Sequence, residues 1–374
     1  MSKIQVCVIG GGNIGTAISA IMSHRGHSVI MKTGKPSSWS NTIIYTDMKT
    51  QGSYQTTLDE ISNQADTVAK AEIVFVTVPS FSLQETIDEI SPYLPKSTPI
   101  GVLPGTGGVE FISQKLIEDG YTVFGTDRVP CIARVTSYGK QVSAEKKSSV
   151  RLCAFPQTKI LSLCRTIADL WGLECTPLEN YLTVTLTPSN PILHTTRLYA
   201  LYQKAAPSHT WESNIPFYED WDDLSSEMLI ACDQELQNLC KSIEGLNLSS
   251  VIPLTNHYES YSTEAMTRKI SGIAAFKNIP SPMIIKDGQY ILDLKSRYFT
   301  EDFPYGLCII KGFAEIFSCN TPQIDKVLKW YQHISGHVYF TNTGFNGKDL
   351  RYTAIPQNFG IQTETDVYNL YCKQ

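Results

Sequence analysis

"IQVCVIGGGNIGTAISAIMSHRGHSVIMK", residues 4–32, is the stretch that decides the fold. Its first six residues form an apolar run of the kind buried in a parallel sheet. Gly10, Gly12 and Gly15 follow in G-x-G-x-x-G spacing, and Ala17, Ile18, Ile21 and Met22 then recur as one face of a helix. Gly26 stands where a helix C-cap belongs, and residues 28–32 resume a strand. Each glycine answers a separate demand: Gly10 permits a tight turn, Gly12 lets backbone approach a pyrophosphate, and Gly15 allows helix to pack closely on strand. Amides at the helix start, from Asn13, Ile14 and Gly15, would face the phosphates. With strand and helix flanking the glycines in the required order, the segment reads as a dinucleotide-binding unit.

Further α/β units follow. "AEIVFVTVPS" (71–80) reads as a strand ending in a Val-Pro-Ser loop, which places Pro79 below a nicotinamide ring. "TPIGVLPGTGG" (98–108) is another strand with a glycine-rich exit, and "YTVFGT" (121–126) a further one. Strands alternating with helices predict a parallel sheet covered on both faces, with ligands at the carboxyl ends of the strands. The end of the second strand selects the cofactor. A carboxylate there would bind the ribose hydroxyls of NAD, but "IMKTGKPSSWS" contains none. Lys32, Thr33, Lys35, Ser37 and Ser38 offer charge and hydroxyls to a 2′-phosphate instead, so NADP is expected, with NAD the alternative if the stretch is only a solvated loop.

Bulk properties narrow the class. A chain of 374 residues fits two domains. It is 42% hydrophobic and 18% charged, with a net charge of -5 and no basic stripe, so neither nucleic acid nor a membrane is an expected partner. No apolar stretch approaches the roughly 18–20 residues that span a bilayer. "MSKIQVCVIG" enters a strand directly, without a charged-then-apolar leader, and the 10 cysteines form no C-x-x-C pair. A cytoplasmic protein with free thiols is expected.

From about residue 181 the pattern lengthens into helices, which sets expected domains of 1–181 (Rossmann type) and 182–374 (all-α). "DDLSSEMLIACDQELQNLCKSIEGL" has helical apolar spacing, and "TPQIDKVLKWYQHI" opens with Thr321 as N-cap and Pro322 at the first helical position. "LTVTLT" (182–187) suits strand by propensity and helix by position. "SNPILHTTR" (189–197) sets Asn190 and His194 four apart, on one helix face. They can share a cavity; equally, Asn190 can be an N-cap before Pro191 and His194 a core histidine. "KSRYFTEDFPYGL" (295–307) places Arg297, Glu301 and Asp302 before an apolar helix, where capping alone would account for the acids. His333 and His337 in "HISGH" lack a third ligand and Gly336 breaks their helix, so no metal is expected. The aromatic-rich residues 208–221 read as a loop running into a helix, with substrate gating as one possible role.

Together these segments resemble the octopine/nopaline (opine) dehydrogenase family over nearly the whole chain. The likeness is carried by the glycine fingerprint, "RVPCIARVTSYGKQV" (128–142), "SNPILHTTR", "PFYEDWDDLSSEMLIACDQE" (216–235) and "RYFTEDFPYGL" (297–307). It implies that His194 and Asp302 form a catalytic pair with Asn190 and Arg297 beside them. Thr195 and Thr196 depart from the proline and glycine that often follow this histidine in the family, and residues 254–276 match only loosely, which bears on the amino substrate. The implied reaction joins an amine to an α-keto acid, usually pyruvate, and reduces the imine.

That chemistry needs an acid–base group working near neutral pH, which histidine supplies, and a carboxylate that fixes its tautomer, a role that fits Asp302. Carboxylate substrates need a cation: Arg297 first, Arg134 second. A ketopantoate-reductase-like or glycerol-3-phosphate-dehydrogenase-like enzyme would carry a catalytic lysine in the first helices of its second domain, and residues 181–201 contain none. A non-catalytic NADP sensor is the remaining alternative. Monomer and homodimer are both open.

Overall fold

The computed structural model describes residues 3–206 and 208–372. It divides into two compact units, Met1–Thr185 and Leu186–Lys373. Residues 182–185 settle as one helical turn, Leu182–Thr185, held to the first unit. There the Tyr181 hydroxyl donates to the Gly105 carbonyl at 3.1 Å, and the Thr185 hydroxyl hydrogen-bonds Glu110.

The first unit contains strands β1 (Gln5–Ile9), β2 (Ser28–Lys32), β3 (Thr42–Asp47), β4 (Ser53–Thr57), β5 (Glu60–Ser62), β6 (Ile73–Val76), β7 (Ile100–Val102), β8 (Val123–Thr126), β9 (Cys131–Ser137), β10 (Gln141–Lys146), β11 (Ser149–Phe155) and β12 (Glu174–Pro177). Eight of them form one sheet in the order β12-β11-β8-β7-β6-β1-β2-β5. β1 lies inside it, parallel to both neighbours, with Val6 opposite Val29 on one side and Ile73 on the other. Val6–Ile9 are all buried, as a strand covered on both faces requires. The sheet is not wholly parallel: β11 pairs antiparallel with β8.

A second sheet, β4-β3-β10-β9, is an addition to the expected architecture. Ile43, Tyr45, Ala133 and Val142 on it join Ala17, Ile18, Ile21 and Met22 of the Asn13–His24 helix in one core. The helix that starts at the glycine loop is thereby clamped between two sheets, which fixes where its N-terminus points.

The second unit is helical, built on Asn190–Tyr202, Asp223–Ser242, Cys308–Ile316 and Pro322–Ser335. Its core stacks Phe303 on Tyr331 with ring centroids 4.0 Å apart. The expectation of an all-α unit needs one correction, because Met283–Lys286 and Gln289–Leu292 pair as an antiparallel hairpin. Asp287 and Gly288 turn it with φ of 52° and 79°, the left-handed pair that a two-residue hairpin loop demands. The alternative reading of Asn190 as a cap is not what the helix shows. Ser189, not Asn190, is the N-cap of the His194 helix, and Pro191 sits in its second position. An amide is dispensable anywhere in the first turn, so proline fits there as well. Among the described residues no helix is long and apolar enough to cross a membrane.

Candidate active site

The glycine loop has the shape its spacing predicts. Gly10 holds φ +108°, and a Cβ on Gly15 would lie 1.9 Å from the Gly10 carbonyl oxygen, so neither position accepts a side chain. A Cβ on Gly12 meets nothing within 4 Å. The space above Gly12 and the first-turn amides of the following helix therefore fit a pyrophosphate. Thr77, not anticipated from the sequence, pins this loop by donating to the Ile9 and Gly10 carbonyls at 3.0 Å each. The Asn13 side chain accepts from the Val135 amide at 2.8 Å and so ties the loop to β9.

At the exit of β2 the candidate phosphate ligands separate into two groups. Lys32 is only 9% exposed and its ammonium is bound by Glu89 at 2.8 Å. Thr33 is buried, 3.4 Å from the Tyr138 hydroxyl. Lys35, Ser37 and Ser38 are exposed on the turn that follows. Trp39 closes this region; a Cβ on Gly11 would strike its ring at 2.5 Å. Pro79 caps the short Ser80–Ser82 turn after β6.

In the second unit, His194 Nδ1 lies 2.8 Å from Asp302 Oδ2. The two side chains are 11% and 12% exposed. An ionised carboxylate only accepts, so Nδ1 carries the proton, and in the neutral ring Nε2 is left as the acceptor. The Tyr218 hydroxyl lies 2.8 Å from Nε2 and donates to it. Tyr298 covers the imidazole with centroids 4.5 Å apart, and Phe217 meets it edge-on at 5.7 Å.

Local structure brings Asp302 to this point. It follows the Arg297–Thr300 turn and precedes a π-helical segment, Phe303–Leu307, whose widened turn lets the Leu307 amide reach the Asp302 carbonyl. Gly306 permits close approach to the His194 helix, since a Cβ there would sit 2.6 Å from the Pro191 ring. Of the other expected residues, Arg297 pairs with Glu301 at 2.5 Å and is 64% exposed. Asn190 is exposed and Arg134 is exposed on β9, with its guanidinium near its neighbour's carbonyl, Ala133. Among the described residues, Asn190 does not bond the His194–Asp302 pair.

Sequence reasoning missed two residues. Tyr218 lay in the aromatic stretch assigned to a loop. Arg197, three positions after His194, is completely buried, and its guanidinium takes hold of the segment carrying Tyr218. It donates to the Phe217 and Asp220 carbonyls at 2.7 Å each and to the Ser225 hydroxyl at 2.9 Å, and pairs with Asp222 at 3.3 Å. Its place one turn beyond His194 on the same face was the available signal.

A glycine loop shaped for a dinucleotide and a buried imidazole–carboxylate pair are the equipment of an NAD(P)-dependent oxidoreductase. Known proteins agree with that class. Residues 177–335 match the family described as NAD/NADP octopine/nopaline dehydrogenase, alpha-helical domain, and residues 5–120 match the N-terminus of NAD-dependent glycerol-3-phosphate dehydrogenase. Tauropine dehydrogenase of Arabella iricolor is 24% identical over 400 residues, covering 96% of this chain and 98% of its own. An uncharacterized protein of Sinorhizobium fredii, y4xO, is 30% identical over 285 residues, covering 70% of this chain and 74% of its own. A structure of octopine dehydrogenase in complex with NADH and agmatine superposes with a TM-score of 0.85 at 23% identity, covering 98% of both chains. The chain belongs to the octopine/nopaline dehydrogenase family.

Proposed function

We propose that this protein is an opine dehydrogenase that condenses an amino acid, or another primary or secondary amine, with an α-keto acid such as pyruvate, and reduces the resulting imine. The observation that carries the reading is the His194–Asp302 pair, buried inside the helical region that matches the family. When bound, the reduced nicotinamide supplies the hydride. The work of the chain is proton transfer and orientation. Asp302 holds His194 in the Nδ1–H tautomer and stabilises the imidazolium, which supplies the proton for loss of water from the carbinolamine. Asn190 and Arg297 are proposed to hold substrate carboxylates, with Arg134 a secondary cation.

We further propose a preference for NADPH. The support is the exposed Lys35, Ser37 and Ser38 at the exit of β2 and the lack of any carboxylate in residues 30–40. Six of the ten cysteines are buried as free thiols, which suits a cytoplasmic location.

The deciding experiment follows NADPH absorbance with pyruvate, 2-oxoglutarate or glyoxylate, each with and without a panel of amines. Oxidation requiring both substrates, and a product mass equal to amine plus keto acid less water plus two hydrogens, supports the reading. Rapid turnover of a keto acid alone to its hydroxy acid refutes it.

A further inference from the structure

His194 has no free ring nitrogen. Nδ1 is engaged by Asp302 and Nε2 by the Tyr218 hydroxyl, both at 2.8 Å. For the imidazole to touch substrate directly, one of these bonds must break, and releasing Asp302 would undo the tautomer that makes the ring useful. Tyr218 would then have to swing away. The structure holds it in place instead. Arg197 grips the carbonyls of Phe217 and Asp220, on either side of it. The phenol ring stacks on Phe276 at 4.2 Å and lies parallel to Trp221 at 6.1 Å. A residue fixed at its backbone from two directions and at its ring by two stacked aromatics is poorly suited to be a lid.

We propose that Tyr218 is a catalytic residue, the terminal member of an Asp302–His194–Tyr218 relay, whose hydroxyl exchanges the proton with substrate. The inference rests on the opine dehydrogenase reading. In the reductive direction the imidazolium Nε2–H donates to the phenol oxygen while the phenol O–H donates to the carbinolamine hydroxyl. The carbinolamine C–O bond breaks, its electron pair leaves with the oxygen as water, and the nitrogen lone pair completes the iminium. The phenol takes the Nε2 proton as it gives up its own. His194 ends neutral, still Nδ1–H toward Asp302, and the net change is one proton moved from imidazolium to water. In the oxidative direction water attacks the iminium and its proton passes through the phenol to Nε2.

The test compares wild type with Tyr218→Phe, His194→Ala and the double variant, all as full chains, in single-turnover NADPH oxidation. Tyr218→Phe removes one oxygen and keeps the stacked ring. The relay predicts that it slows the reaction by roughly 100-fold or more, with NADPH affinity and melting temperature close to wild type. The double variant should be no slower than His194→Ala, because the members act as one unit. A Tyr218→Phe rate within about threefold of wild type, or above it, overturns the relay, the latter outcome marking the tyrosine as an obstruction. Should that variant misfold, fluorotyrosines placed at 218 replace it: the rate must vary with phenol acidity, and a flat series overturns the proposal. If wild type turns over a keto acid alone, the opine reading fails, whereas the effect of Tyr218→Phe is still read with that substrate.

Discussion

Arg197 donates its Nε–H to the Phe217 carbonyl oxygen at 2.7 Å, from one helical turn beyond His194 to one residue before Tyr218. One helix thus supplies the imidazole and the cation that positions the imidazole's partner. Arg197→Met should lower stability by about 2–4 kcal/mol, chiefly through the stranded carbonyls, since Asp222 is 52% exposed and can turn to water. Arg197→Lys retains the charge but not the planar fork and should keep most of the stability while losing turnover. Thermal melts alongside kcat measure both; a lysine variant with wild-type kcat would show that the fork has no positioning role.

The dyad predicts its own pattern of losses. His194→Ala should lower turnover by roughly 10²–10⁴-fold and leave cofactor affinity nearly unchanged, with Asp302→Asn also slow and the double variant far from additive. On the proposed mechanism the reductive direction uses the imidazolium and the oxidative direction the neutral ring, so the oxidative pH optimum should lie higher. Superimposable pH–rate curves in the two directions would count against His194.

Cofactor preference should depend on Lys35 more than on Lys32, because Glu89 already binds the Lys32 ammonium. Lys35→Ala is expected to raise KM for NADPH more than for NADH, whereas Lys32→Ala should leave the ratio of the two KM values nearly unchanged, with Glu89, 46% exposed, turning to water. Steady-state kinetics with both cofactors decide it. Equal use of the two, unchanged in either variant, removes the case for NADPH.

Burial pushes the Cys7 thiol up from its ordinary 9.0 to about 12. An unfolded chain loses that proton near pH 9 while the folded one keeps it, so the folded state binds more protons between these values. The stability this provides is present below about pH 9 and is lost as pH rises toward 12. Cys7→Ala should flatten the fall of unfolding free energy across that window by up to about 1.4 kcal/mol per pH unit. Denaturant titrations at several alkaline pH values supply the slopes.

The glycine fingerprint was legible because its physics is local: turn, phosphate approach and close packing each select glycine within six residues. The second sheet was not. Its outer strand, Ser53–Thr57, is mostly exposed and polar, and takes its register from β3 rather than from any apolar alternation of its own. The hairpin had a usable signal in Asp287-Gly288 between apolar pairs, overlooked beside strong helical patterns. His194 and Asp302 stand 108 positions apart, and resemblance rather than spacing linked them before the geometry did. Tyr218 lies in residues 216–235, which share in the resemblance, but no role came with it, since its tie to His194 exists only through folding and through Arg197. Asn190 shows the converse: i,i+4 spacing places residues on one face but does not make them partners.

The boundary after Thr185 leaves residues 10–15 and 32–39 on one side, and His194, Arg197, Tyr218 and Asp302 on the other. On the proposed reading, dinucleotide choice and proton handling are therefore written in separate parts of the chain. If Lys35 sets the preference as proposed, a descendant of this protein can trade one cofactor for the other by drift around it without retuning its imidazole. Changes near the dyad can likewise admit a new amine while the glycine loop stays as it is. Diversification of such a catalyst proceeds along two axes, each free to move while the other is held.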